Sequence, residues 1–151
     1  MKSHRSSSVF ASVTLAIASI VGLSALTFAP QITAPAIAQE AGDPVTTTSS
    51  PTEITLAKHL RKIGAKVYTA YWCPHCHDQQ QRFGKVAVSK LEVIECDRRG
   101  VKPQTQLCID KKIRSFPTWE IGGKLYPGNR TLENLARLSR YKGDILPNYT
   151  N

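Results

Sequence analysis

The chain alternates between stretches whose apolar residues recur every three or four positions and stretches where they run together or alternate. Leu56, Leu60 and Ile63 sit at helical spacing, with Thr52 placed to cap the start and Gly64 to stop it. Lys66 to Tyr71 reads as a buried strand. His75 to about Phe83 then forms a polar helix with Cys76 and Phe83 on one face and Gly84 as its stop. Leu91 to Cys96 predicts a second strand, Asp97 to Lys102 a loop, and Pro103 to about Lys112 a third helix. Ile113 to Ile121 and Lys124 to Tyr126 flank Gly122-Gly123, the pattern of a β-hairpin. Thr131 caps a last helix with Leu132, Leu135, Ala136 and Leu138 on its apolar face, ended by Gly143. The order helix, then β-α-β-α-β-β-α, predicts an α/β fold with a central mixed sheet flanked by helices.

The ends read differently. Lys2, His4 and Arg5 precede an uncharged apolar run from Val9 to Ala29, and Ala36-Ile37-Ala38 has the small-residue form of a cleavage site. Residues 1–38 are therefore expected to be a signal peptide, with an uncleaved N-terminal anchor as the alternative, because the run is long enough to span a bilayer. Residues 39–53 read as a disordered linker, 54–143 as the folded domain and 144–151 as a C-terminal tail. Removing residues 1–38 would take away Lys2 and Arg5 and no acid, lowering the formal charge from +9 to +7. The remaining basic residues are scattered, and no basic stripe interleaved with aromatics argues for nucleic acid.

Export changes the meaning of four cysteines, since an oxidising compartment favours disulfides over metal. Cys73-Pro74-His75-Cys76 follows the first strand and opens a helix, the arrangement of a dithiol/disulfide exchange site. The helix N-terminus would stabilise a thiolate at Cys73, the expected nucleophile, with Cys76 one turn on as the resolving thiol. His75 is expected to tune Cys73, and Trp72 to shield the disulfide and contact substrate. His77 and His59 read as surface and helix-face residues. Cys96 and Cys108 form a second pair, expected to be a structural staple, with an electron relay as the sharper alternative. A zinc module is the rival use of four cysteines, but the second pair lacks a tight Cys-x-x-Cys, and no metal is expected. A redox-inert binding module on the same scaffold is a further rival.

Tyr71 to Cys76, followed by Ser115-Phe116-Pro117-Thr118-Trp119, resembles the thioredoxin fold. More narrowly, Leu56 to Gly143 resembles the thioredoxin-like domain fused to bacterial, notably cyanobacterial, vitamin K epoxide reductase homologues. The resemblance implies a cis Pro117 facing the cysteine pair and a Phe116 backbone that docks an extended substrate strand. It also implies oxidation of cysteines in exported proteins and reoxidation by a quinone-linked, vitamin K epoxide reductase-like membrane partner. No cofactor of the chain's own is expected, and a monomer in the periplasm or thylakoid lumen is. Thioredoxin carries a buried carboxylate six residues before its first cysteine, where this chain has Val67. That departure weakens the alternative of a disulfide reductase or isomerase.

Overall fold

The computed structural model describes residues 39–144. The expected signal peptide and all but the first residue of the expected tail lie outside them. Helix α1 (Pro51–Lys62) leads into β1 (Lys66–Thr69), α2 (Pro74–Val88), β2 (Val93–Glu95), α3 (Thr105–Asp110), β3 (Thr118–Ile121), β4 (Lys124–Pro127) and α4 (Leu132–Leu138). The sheet order is β2-β1-β3-β4. β1 runs parallel to β2, with Tyr68 opposite Ile94, and antiparallel to β3, with Val67 opposite Trp119. β3 and β4 form the predicted hairpin, whose two turn residues, Gly122 and Gly123, both have positive φ (56° and 76°). Among the described residues no helix is long and apolar enough to cross a membrane.

Successive strand residues face opposite sides, so β1 serves two cores. Val67, Trp119 and Ile121 pack with Leu56 and Leu60 of α1, Phe83 and Ala87 of α2, and Leu132 and Leu135 of α4. Tyr68 and Ile94 face the other way, toward Cys96 and Cys108, with Leu107 and Ile113 against them. A buried polar network fastens this second layer. The Tyr68 hydroxyl donates to Glu120 Oε2 and Lys111 Nζ donates to Oε1, each at 2.5 Å. Burial alone would raise the Glu120 carboxyl, but the hydrogen bonds from Lys111 and Tyr68 outweigh it and hold it below its ordinary range.

Several boundaries differ from the sequence reading. α1 starts at Pro51 rather than after Thr52, with Ser50 at the N-cap and the Glu53 carboxylate accepting the Ser50 backbone N–H. Proline suits the first helical position because its missing N–H has no partner there anyway. α3 begins at Thr105, two residues past Pro103, and β3 begins only at Thr118. Ile113 to Pro117 is irregular and contains the cis Phe116–Pro117 bond. α2 does not stop at Gly84. It breaks there, at φ 77° and ψ 164°, and resumes to Val88.

That break explains the largest correction. The stretch expected to be a disordered linker is a strap, residues 39–50, hydrogen-bonded across the domain. Glu40 N–H donates to Arg99 O at 2.6 Å, making an isolated parallel bridge with Gly100. The resumed half of α2 needs partners for its first N–H groups, and the strap supplies them. Lys85 N–H donates to Thr47 O at 2.9 Å, and Ala87 N–H to Ser49 Oγ at 2.9 Å. A Cβ at Gly84 would lie 2.7 Å from Ser49 N, so glycine is also what lets the strap come this close. Small hydroxyl residues, suggestive of disorder by composition, here serve as caps.

Candidate functional site

β1 delivers the chain to Cys73, whose N–H donates to Ala70 O at 2.9 Å. Cys73 is the N-cap of α2, in extended conformation, with Pro74 at the first helical position. Its sulfur takes the capping role, accepting the Cys76 backbone N–H at 3.2 Å and lying 2.6 Å from Cys76 Sγ. Both cysteines are free and buried, Cys76 more deeply, at 2 % exposure against 6 %. Burial, and then the hydrogen bond with Cys73, push the Cys76 thiol well above its ordinary pKa. Cys76 is thus held as a neutral donor and Cys73 as the acceptor. Cys73, the expected nucleophile, is the more accessible of the two sulfurs.

The cis Phe116–Pro117 bond lies beside this pair, with Phe116 packed on Ala70, Cys73 and Cys76. Trp72 is 56 % exposed, meets the Phe116 ring edge-on at 6.2 Å, and donates its indole N–H to Asp97 Oδ2 at 2.8 Å. The Arg99 backbone N–H, then the Trp72 N–H, hold the Asp97 carboxyl below its usual range. Trp72, Phe116 and Pro117 are therefore gathered at the cysteines, as the sequence suggests.

A cavity of about 410 Å³ adjoins both cysteines on the strap side, and a second of about 320 Å³ adjoins Cys73 alone of the two. Ala41, Gly42 and Asp43 of the strap line both, as does His77. A Cβ at Gly42 would stand 2.7 Å from Tyr71 O, so the strap passes directly against the segment that leads into Cys73. Glu95 lines the larger cavity. Burial raises its carboxyl, opposed by backbone N–H groups led by Asp97, which donates to Oε1 at 2.8 Å. The position Val67 carries no acid, but the neighbouring strand β2 supplies one, and its charge is felt at Cys76.

His75, expected to tune Cys73, lies at the surface. Its side chain is 73 % exposed, and its ring lies 3.9 Å from Asp78 rather than in either cavity. The histidine beside Cys73 is His77, four residues on and so on the same helical face. Its spacing from Cys73 was the available signal. The strap had none, because its partners lie at Gln81, Lys85, Ala87 and Arg99. Cys96 and Cys108 are joined as a disulfide with Cα atoms 5.8 Å apart, which removes two of the four cysteines from any zinc set. They sit in the Tyr68 cluster and line neither cavity.

No protein-family model matches the chain. It is 42 % identical over 103 residues to the thiol-disulfide oxidoreductase LTO1 of Arabidopsis thaliana, a match covering 66 % of this chain and 27 % of that protein. The chain thus spans about a quarter of its relative's length. A relationship this close, joined to the mixed four-stranded sheet and the cysteine pair at the head of α2, makes the chain a thioredoxin-like homologue of the thiol-disulfide oxidoreductase LTO1.

Proposed function

We propose that the protein is an exported thiol-disulfide oxidoreductase that oxidises cysteines of exported proteins through Cys73 and Cys76. The observation that carries the reading is the cysteine pair, 2.6 Å apart at a helix N-terminus with the more accessible sulfur as acceptor. In the oxidised enzyme a substrate thiolate attacks Cys73 Sγ. The substrate–Cys73 bond forms as the Cys73–Cys76 bond breaks, and Cys76 leaves as a thiolate that takes up a proton. Burial favours that neutral thiol. A second substrate thiolate attacks the substrate sulfur, Cys73 leaves as a thiolate, and the substrate has lost two electrons to the enzyme pair.

The cis Phe116–Pro117 segment and Trp72 form the wall against which an extended substrate strand docks. His75, exposed beside Asp78, is left for contacts with partners at the surface. The Cys96–Cys108 bond, away from both cavities, acts as a staple of α3 to the sheet. Homology to LTO1 and the resemblance to fused vitamin K epoxide reductase domains support a redox relay with such a membrane partner; the apolar start of the chain with its small-residue cleavage site is what argues for the periplasm or thylakoid lumen.

Equilibration of the pair against glutathione tests the direction of transfer. A potential of about −120 to −180 mV supports disulfide donation. A value near about −270 mV would instead favour the reductase reading, for which Glu95 supplies a cavity carboxylate. Replacing Cys73 by Ser should abolish exchange, whereas Cys76→Ser should trap mixed disulfides with exported proteins.

A further inference from the structure

The hydrogen bonds around Gln81 fix more than the strap. Thr46 N–H and Thr47 N–H both point at Gln81 Oε1, each at 3.1 Å, and the Thr47 hydroxyl lies 3.0 Å from the same atom. A backbone N–H can only donate, so the atom facing those groups must be the amide oxygen, which leaves the amide nitrogen as the donor to the Thr46 hydroxyl at 3.3 Å and to its neighbour on the helix. That nitrogen lies 2.9 Å from His77 Nε2 and can only donate to it. Nε2 is therefore an acceptor without a proton, and the neutral ring carries its hydrogen on Nδ1. His77 Nδ1 is buried and has no hydrogen-bond partner among the described residues. An unpaired buried donor is costly, and such a group calls for an explanation.

We propose that His77 is a catalytic residue whose Nδ1–H donates to the Cys73 sulfur when that sulfur is a thiolate, and that Gln81, held by the strap, is the positioning residue that puts the proton there. His77 follows Cys73 by one helical turn, and both line the two cavities. In the exchange cycle the anion at Cys73 appears when the second substrate thiolate displaces it. A neutral N–H there stabilises the leaving sulfur without a proton having to move. The charged groups sharing the larger cavity are Glu40 and Asp43 of the strap, Glu95 of β2 and Lys102 of the loop after it, so His77 is a neutral donor in a mixed-charge setting. The assignment rests on the exchange reading above and moves the tuning role from His75 to His77.

Two measurements on the reduced full chain test it. Nitrogen-15 spectra of the histidine rings should show His77 neutral with its proton on Nδ1, and Gln81→Leu should release that preference. An Nε2–H tautomer in the unaltered protein would overturn the proposal, whatever the variants do. Alkylation of Cys73 by iodoacetamide at pH 7 should slow about tenfold in His77→Phe, the scale of one hydrogen bond to an ionised group. His77→Asn keeps a donor near the Nδ1 position and should recover to within about threefold of the parent rate. Equal rates in all three proteins would sink the idea. If the unaltered protein failed to exchange disulfides with any substrate, the function would fall while the tautomer and alkylation results stood, so the two failures are separable.

Discussion

Replacing Gly84 by alanine probes whether the strap is built into the site or merely lies over it. Gly84 has φ 77° and ψ 164°, a region that side chains rarely enter, costing about 1–3 kcal/mol for a non-glycine residue. The new Cβ would also meet the strap backbone, 2.7 Å from both Ser49 N and Thr48 C. If the strap yields, Lys85 N–H loses Thr47 O and Ala87 N–H loses Ser49 Oγ, bonds worth about 0.5–1.5 kcal/mol each. Since displacement of the strap relieves part of the clash, the expected loss is about 2–5 kcal/mol by urea denaturation. Amide hydrogen exchange should locate it, with Lys85 and Ala87 losing protection before the β1 and β3 amides do. Ser49→Ala isolates one cap and should cost about 1 kcal/mol. A Gly84→Ala protein within about 0.5 kcal/mol of the parent, with unchanged exchange at Lys85 and Ala87, would refute the account of the break as a strap-binding feature.

Other consequences are open to direct test. Glu120 has a depressed carboxyl, so its contribution to stability is present above the unfolded value of about 4.3 and is lost as pH falls through the lower folded one. Denaturation at pH 7 and pH 3 should therefore show a smaller stability difference in Glu120→Gln than in the parent. Replacing Cys96 and Cys108 together by alanine should cost about 3 kcal/mol for a loop of this size while leaving exchange by Cys73 and Cys76 intact. Loss of exchange in a folded double variant would restore the relay reading. Trp72→Ala should raise KM for a peptide substrate several-fold with little change in kcat, since Trp72 touches the docking wall rather than the sulfurs.

The elements that were legible in the sequence are those whose signals are local. Leu56 and Leu60 repeat at helical spacing into a single core, and Gly122-Gly123 supplies the two positive φ values its hairpin needs. Thr131 caps α4 as expected, its hydroxyl accepting the Asn134 N–H. The cysteine pair announced itself by spacing, and the Phe-Pro pair behind it by resemblance. What stayed hidden depends on contacts far along the chain. Thr46 and Thr47 look like linker residues until Gln81, some 35 positions on, accepts their N–H groups. Gly84 reads as a helix stop because nothing in its neighbourhood shows that Ser49 will cap the next turn. Similarly, Glu95 is far from the cysteines in sequence, and only the parallel pairing of β1 with β2 brings its carboxylate to the cavity. His75, singled out by its place between the two cysteines, lies at the surface beside Asp78, while His77, one turn on from Cys73, lines the cavities.

No strap side chain belongs to the buried apolar clusters, and hydrogen bonds at Glu40 and from Thr46 to Ser49 are its anchors. Hydrogen bonds of this exposed kind lie at the low end of local stability, whereas the sheet and its helices open only with global unfolding. One side of the cavity beside Cys73 and Cys76 is therefore held by hydrogen bonds alone, and its amides should exchange with solvent before those of the sheet behind them.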